Sequence, residues 1–179
     1  MTTYCEYVRA HPEDECNRRY HDEEYGFPLV EDDALLERLA LEINQAGLSW
    51  ITILKKKDNF QHAFEGFEVA RLAAYGEKDI ARLLADAGII RNRRKIEAVI
   101  ENARRILEIQ KEHGSFKAWL DSHYPRNLEE WVKLFKQTFV FTGGEIVGEF
   151  MVSTGYLPGA HDPDCPAYKR IAKLHPAWM

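Results

Sequence analysis

No run of about 18 apolar residues occurs anywhere in the chain, so the sequence offers no transmembrane helix. Its first residues, MTTYCEYVRAHPEDEC, lack the charged-then-apolar order of a secretion signal, and a soluble, cytoplasmic protein is expected. Cysteine is scarce: three cannot all pair with one another, and a reducing compartment favours thiols or metal ligands over disulfides. Positive charge is in deficit. With 29 acidic against 24 basic residues and a net charge of −5, the whole-molecule field does not attract nucleic acid, so any such contact must be local. Internal repeats, low-complexity tracts and flexible linkers are missing too, and no stretch alternates polar and apolar residues as a half-buried strand does. What remains is an all-α chain of 179 residues, 45% hydrophobic, enough for one domain over residues 1–179 around one core.

Helical periodicity is plain in the middle of the chain. From Asp32 the segment EDDALLERLALEINQAG places Leu35, Leu39, Ile43 and Ala46 on one face, with acidic residues in the first turn and an end near Gly47. LSWITILKKKDNFQHAF continues as a second helix, and Gly76 and Gly88 stop two short ones. The longest stripe, Ile96, Val99, Ile100, Ala103, Ile106 and Leu107, predicts a helix from about Asn92 to Glu112. After a short VFTGG loop, EIVGEFMVSTG is again helical in spacing. Both ends show little periodicity, and the tail with Pro158, Pro163 and Pro166 is expected to lie irregularly against the body.

Two groups of residues carry chemistry. Cys5 and His21 near one end, with His161 and Cys165 near the other, supply two thiols and two imidazoles, the usual closed tetrahedral set for structural zinc. The bland alternative is a buried small cysteine and hydrogen-bonded histidines. The N-terminal half also gathers Tyr4, Tyr7, Tyr20, Tyr25, Phe27 and Trp50 around one helical carboxylate, Glu42. A base drawn out of a duplex needs flat faces to stack on and a few polar groups for its edge. Aromatic core filler is the competing reading for the rings; a glutamate interrupting ALEINQAG is harder to explain that way. The basic runs Arg18-Arg19, Lys55-Lys56-Lys57, Arg91-Arg93-Arg94-Lys95 and Arg104-Arg105 are equally compatible with ordinary solvated helix faces.

Several segments together resemble the 3-methyladenine DNA glycosylase I family of the helix-hairpin-helix superfamily: YHDEEYGFP at 20–28, LEINQAGLSWITILKKK at 41–57, DAGIIRNRRKI at 86–96, and the terminal HDPDC. The likeness runs from Cys5 to Cys165. It implies a monofunctional base-excision repair hydrolase that releases 3-methyladenine from double-stranded DNA containing alkylated bases, acting as a monomer without a membrane. It also implies zinc on Cys5, His21, His161 and Cys165, and Glu42, Tyr20 and Trp50 as the catalytic contacts to the excised base. Tyr7 and Tyr25 stand where pocket-wall tryptophans are common, and Gln45, Gly47 and Leu48 match the turn that approaches the gap in the duplex. Residues 128–155 resemble the helix-hairpin-helix element, whose Thr142, Gly143 and Gly144 would take the DNA backbone. Glycine main chain and a following helix N-terminus suit that task on physical grounds as well.

An adenine alkylated at N3 is already cationic and leaves as a neutral base, so no strong acid is required. The chain has no lysine between the second hairpin helix and Lys169, which fits hydrolysis without a lyase step. Departures from the family pattern are Tyr7 and Tyr25 in place of tryptophan, Val140 where a basic residue is usual, Glu145 opening the second hairpin helix, and a shortened stretch between Trp119 and Glu129. Two other readings of the sequence are a lesion-binding module without turnover and a zinc hydrolase; four protein ligands, leaving no open position, argue against the second.

Overall fold

The computed structural model describes residues 1–179 and is helical throughout, without a strand. The helices are α1 (Tyr4–Ala10), α2 (Glu15–Glu23), α3 (Asp32–Gln45), α4 (Trp50–Lys55), α5 (Lys57–Ala63), α6 (Val69–Ala73), α7 (Glu77–Leu84), α8 (Arg93–His113), α9 (Phe116–His123), α10 (Leu128–Thr138), α11 (Gly144–Ser153) and α12 (Pro166–Ala172), with a 3-10 turn at Glu65–Phe67. None is long and apolar enough to cross a membrane.

Local chemistry sets the boundaries. The Asn92 side chain accepts from the Lys95 amide to open α8, and Gly114, at φ +87°, closes it in a conformation that side chains disfavour. Asn127 and Glu130 form a reciprocal capping box at the start of α10. Asp32 serves two helices: it lies in the first turn of α3, and its carboxylate accepts from the amides of Phe116 and Lys117 and thereby fastens α9.

α3 is the axis of the fold. Leu35, Leu36, Leu39, Ala40, Leu41 and Ile43 are all buried, and α8, α9, α11, α4 and the 3-10 turn pack around it. One hydrophobic cluster runs from Leu35 to Tyr156. A second cluster, of Cys5, Cys165 and Ala167, is far smaller and lies where the two ends meet.

The ends are more ordered than periodicity suggests. α1 and α2 occupy the N-terminal stretch, and α12 begins within the proline-rich tail, with Pro166 in its first turn where a missing amide hydrogen costs nothing. Between α11 and α12 the chain is irregular, as expected. The segment read as one helix after Leu48 is broken at Lys56 into α4 and α5. Gly76 opens α7, its amide held by Asp79, while α6 already ends at Ala73.

Candidate active site and metal centre

A cleft of about 1350 Å³ opens between the C-terminal half of α3 with the turn that follows it, the aromatic N-terminal segment, and α11. Glu42, Gln45, Gly47, Leu48 and Trp50 line it from the α3 side, Tyr4, Tyr20 and Tyr25 from the N-terminal side, and Gly143 and Gly144 at the hairpin. A separate depression around Asp58, Gln61 and His62 has no apolar lining and lies away from these groups.

The aromatic rings form one connected wall. Tyr20 meets Trp50 edge-on at 5.2 Å between centroids and Tyr25 at 5.8 Å, and Tyr25 meets Tyr4 at 5.3 Å. Burial pushes the hydroxyls of Tyr4, Tyr20 and Tyr25 upward, so all three remain neutral donors at physiological pH. The Tyr20 hydroxyl is buried without a hydrogen-bond partner. An unsatisfied buried hydroxyl is costly and is expected where a ligand is to be met.

Glu42, in the same cleft, makes no hydrogen bond to the protein. Arg38, one turn earlier, is fully engaged: its guanidinium donates to the Ser153 carbonyl at 2.9 Å, lies 3.7 Å from Glu24 and sits over the Tyr20 ring. Glu42 has only its surroundings. Burial, reinforced by the charge of Glu149 and opposed by Arg38, pushes its carboxyl up to about 8, with no hydrogen bond contributing. A carboxyl group on the central helix, facing a cleft without a hydrogen bond from the protein and held mostly protonated at neutral pH, is poised to ionise when positive charge arrives from outside.

The turn after α3 is locked from behind. Gly47 adopts φ +80°, the Leu48 amide donates to Gln45, and the buried Lys95 ammonium donates to the carbonyls of Asn44 and Ala46 at 2.7 and 2.6 Å. Those carbonyls at the helix end would otherwise lack partners. Leu48 is thereby held 41% exposed at the lip of the cleft.

A short turn, residues 139–143, joins α10 to α11. Gly143 and Gly144 have ordinary backbone angles there, and a side chain added at either would meet nothing within 4 Å. Neither glycine is needed to fold the turn; both leave an open approach to the N-terminal amides of α11.

Two expected residues stand elsewhere. Tyr7 is on the far side of α1, exposed, its hydroxyl donating to Asp14 and its ring against His11, outside the cleft lining. Thr142 is buried behind the hairpin, donating to the Phe135 carbonyl. Conversely, Glu149 lines the cleft without having been singled out, and Tyr4, read from the sequence only as one of the aromatic group, proves to be part of the wall. Glu149 was discoverable from the Glu145, Gly148, Glu149, Val152 stripe that helical spacing puts on one face of α11.

Cys5, His21, His161 and Cys165 converge as a buried cluster whose ligand atoms all lie within 4.8 Å of one another. The two imidazole nitrogens are 3.1 Å apart, and the sulfur–nitrogen separations are 3.2, 3.6, 3.6 and 3.9 Å. A tetrahedral zinc with ordinary bond lengths implies edges of roughly 3.3 Å between nitrogens and 3.6 Å between sulfur and nitrogen, so the residues fit that ion. The remaining ring nitrogens are engaged too: His21 Nδ1 faces Asp22 at 2.8 Å and His161 Nε2 faces the Tyr25 carbonyl at 2.6 Å. These contacts orient both rings with their free nitrogens inward, and the Asp162 amide donates to Cys5 sulfur. Burial holds His161 low, hence neutral as a ligand must be, while it pushes the Cys5 thiol up to about 12; a divalent cation is the charge that would favour the thiolate. The four residues can therefore hold a metal ion.

Comparison with known proteins places this arrangement. A family model described as methyladenine glycosylase matches residues 10–133. The DNA-3-methyladenine glycosylase 1 of Escherichia coli (strain K12) is 37% identical over 168 residues, covering 83% of this chain and 89% of the relative. The DNA-3-methyladenine glycosylase of Haemophilus influenzae is 34% identical, with 93% and 98% covered. The solved structure of 3-methyladenine DNA glycosylase I from Staphylococcus aureus, which describes 3-methyladenine recognition, superposes with a TM-score of 0.79 at 35% identity, covering 87% of this chain and 92% of that one. With the resemblance in sequence, the likeness in fold and the match of a family model over most of its length, the chain belongs to the methyladenine glycosylase family.

Proposed function

We propose that this protein hydrolyses the N-glycosidic bond of 3-methyladenine in double-stranded DNA, as a monofunctional base-excision glycosylase. The observation that carries the reading is the pair of polar groups without a hydrogen bond from the protein in one aromatic cleft, the Glu42 carboxyl and the buried Tyr20 hydroxyl, beside the half-buried Trp50. In this reading the flipped base stacks on Trp50, its exocyclic amino group donates to Glu42, and Tyr20 donates to an edge nitrogen. Tyr4 and Tyr25 complete the wall. Gln45, Gly47 and Leu48 enter the gap in the duplex, and the amides behind Gly143 and Gly144 hold the DNA backbone.

The cationic lesion supplies its own leaving group. The protein's part is to exclude bulk water, hold the base in line and stabilise the sugar cation with nearby carboxylate charge. Zinc on Cys5, His21, His161 and Cys165 is structural: with four protein ligands it has no open position for chemistry. It braces the aromatic wall, because Tyr4 and Tyr20 precede two of the ligands in sequence and Tyr25 accepts from a third. Chromatography of bases released from methylated duplex DNA tests the reading. Free 3-methyladenine is the expected product; binding of alkylated DNA without any released base would instead favour a lesion-binding role.

A further inference from the structure

The excision reading uses one carboxylate, yet the cleft contains a second on the opposite wall. Glu149 lies on α11, which packs against α3, in the stripe with Glu145, Gly148 and Val152 that faces the cleft. It stands five residues, about 7.5 Å, along the helix from Gly144. In the binding mode proposed above, with the backbone at Gly143 and Gly144 and the base at Glu42, Tyr20 and Trp50, the sugar would lie between these two ends of the cleft that Glu149 also lines. The only side chain that binds Glu149 is Tyr25, whose hydroxyl approaches Oε2 at 3.4 Å, too long for a strong structural anchor.

We propose that Glu149 is a catalytic carboxylate of the excision step, taking the proton of the water that attacks C1′ of the flipped nucleotide. The role rests on the substrate reading above. As the C1′–N9 bond breaks, its electron pair leaves with the alkylated adenine, which becomes neutral. Water oxygen forms the new bond to C1′, and its proton passes to Glu149 and then to solvent. Before that transfer, the negative carboxylate also stabilises the positive charge on the sugar.

Electrostatics couple the two carboxyls. Burial and the charge of Glu145 raise Glu149, so it is a stronger base than a solvated glutamate, while the Tyr25 contact opposes the rise. Glu42 is raised chiefly by its burial and in part by the charge of Glu149, so the two carboxyls oppose each other's ionisation. Their places divide the roles: Glu42, on α3 beside Trp50 and Tyr20, meets the base, and Glu149, on the opposite wall, meets the water. The other titratable groups facing this space are Glu145, whose charge opposes ionisation of Glu149, and Tyr4, Tyr20 and Tyr25, which stay neutral; behind the wall the buried Arg38 on α3 favours negative charge at Glu42.

The test is single-turnover release of 3-methyladenine from alkylated duplex by wild type, Glu149→Gln and Glu149→Asp, across pH, with circular dichroism as a folding control. Affinity for free 3-methyladenine is measured alongside. Glu149→Gln should lose about a hundredfold in rate and the acidic limb of the pH profile, keep its affinity for the free base, and be partly rescued by Glu149→Asp. A folded Glu149→Gln protein as fast as wild type overturns this role and leaves the substrate reading standing. Equal losses in rate and base affinity, with the pH limb intact, overturn it in favour of simple binding. Wild type that releases no 3-methyladenine overturns the substrate reading and this role together.

Discussion

A single buried glutamate shows how site and stability oppose each other. Glu42 ionises at about 8 in the folded protein against an ordinary 4.5, because burial penalises its charge. The sign follows: below the unfolded value both states hold the proton and nothing is lost. As pH rises from about 4.5 to about 8 the unfolded state gives up its proton first, and the folded state is destabilised by an amount that levels off above 8. Glu42→Gln should therefore be more stable than wild type at pH 8.5, by on the order of 4 kcal/mol, and nearly equal at pH 4.5. Urea unfolding at the two values checks this; an advantage that does not change with pH would remove the buried charge from the account. The same variant should slow single-turnover excision about ten- to a hundredfold, since the cationic base favours ionised Glu42 and a hydrogen bond to a charged group is worth about 1.5 to 3 kcal/mol. Wild-type rates in a folded Glu42→Gln protein would take Glu42 out of the mechanism. Tyr20→Phe separates site from filler in another way. Its hydroxyl is buried and unpartnered, so removing it should leave stability unchanged or raise it by about 1 kcal/mol, while affinity for free 3-methyladenine falls. Loss of stability with unchanged affinity would make Tyr20 a core residue only.

At the scale of elements, the question is what joins two ends that share so little packing. α1, α2 and α12 meet over a cluster of only three buried residues, two of them cysteines of the metal set. Replacing Cys165 with serine, or stripping zinc with a chelator, should lower the melting temperature by roughly 5 to 10 °C, since about 1 kcal/mol moves Tm by about 2 to 4 °C at this size. Affinity for the free base should fall with it, because His161 holds the Tyr25 carbonyl and His21 follows Tyr20. Native protein found metal-free by elemental analysis, with an unchanged melting curve after chelation, would end the structural-zinc account. The ligands could be read from the chain because thiols and imidazoles are few and have a narrow chemistry. The helices carrying them could not, because elements of seven to nine residues such as α1 and α2 bury only two or three side chains each and leave no stripe to read. α3 and α8 were legible for the opposite reason, long faces against one core. Tyr7 and Glu149 show where residue type misleads: both are groups suited to a pocket, but only the direction in which each helix turns them decides which reaches the cleft.

For the molecule as a whole, the puzzle is how a chain of net charge −5 holds DNA at all. Several basic residues that looked available are used internally. Lys95 caps the end of α3, Lys57 pairs with Glu24 at 2.5 Å, Arg93 is shared by Glu77 and Glu97, and Arg104 and Arg105 bind carbonyls of Ala73, Tyr75 and Thr138. One grip on the backbone needs no basic side chain: main chain at the open glycines before α11, with a helix dipole behind them and no side chain in the way. Such a grip cannot read base edges, and it releases few counterions. Gly143→Asp should therefore weaken binding to every duplex alike, damaged or not, by roughly tenfold or more, because it places a carboxylate where a phosphate would sit. Since nothing lies within 4 Å of an added Cβ, the variant should keep its fold and its affinity for free 3-methyladenine. The salt dependence of binding should be shallow in wild type, with a slope in log K against log salt corresponding to only a few phosphates. Titration of labelled duplexes of several sequences over a range of salt decides the matter. A loss confined to certain sequences would mean that the hairpin touches bases, and a slope as steep as that of a strongly basic protein would mean that lysine and arginine, not the glycine turn, carry the DNA.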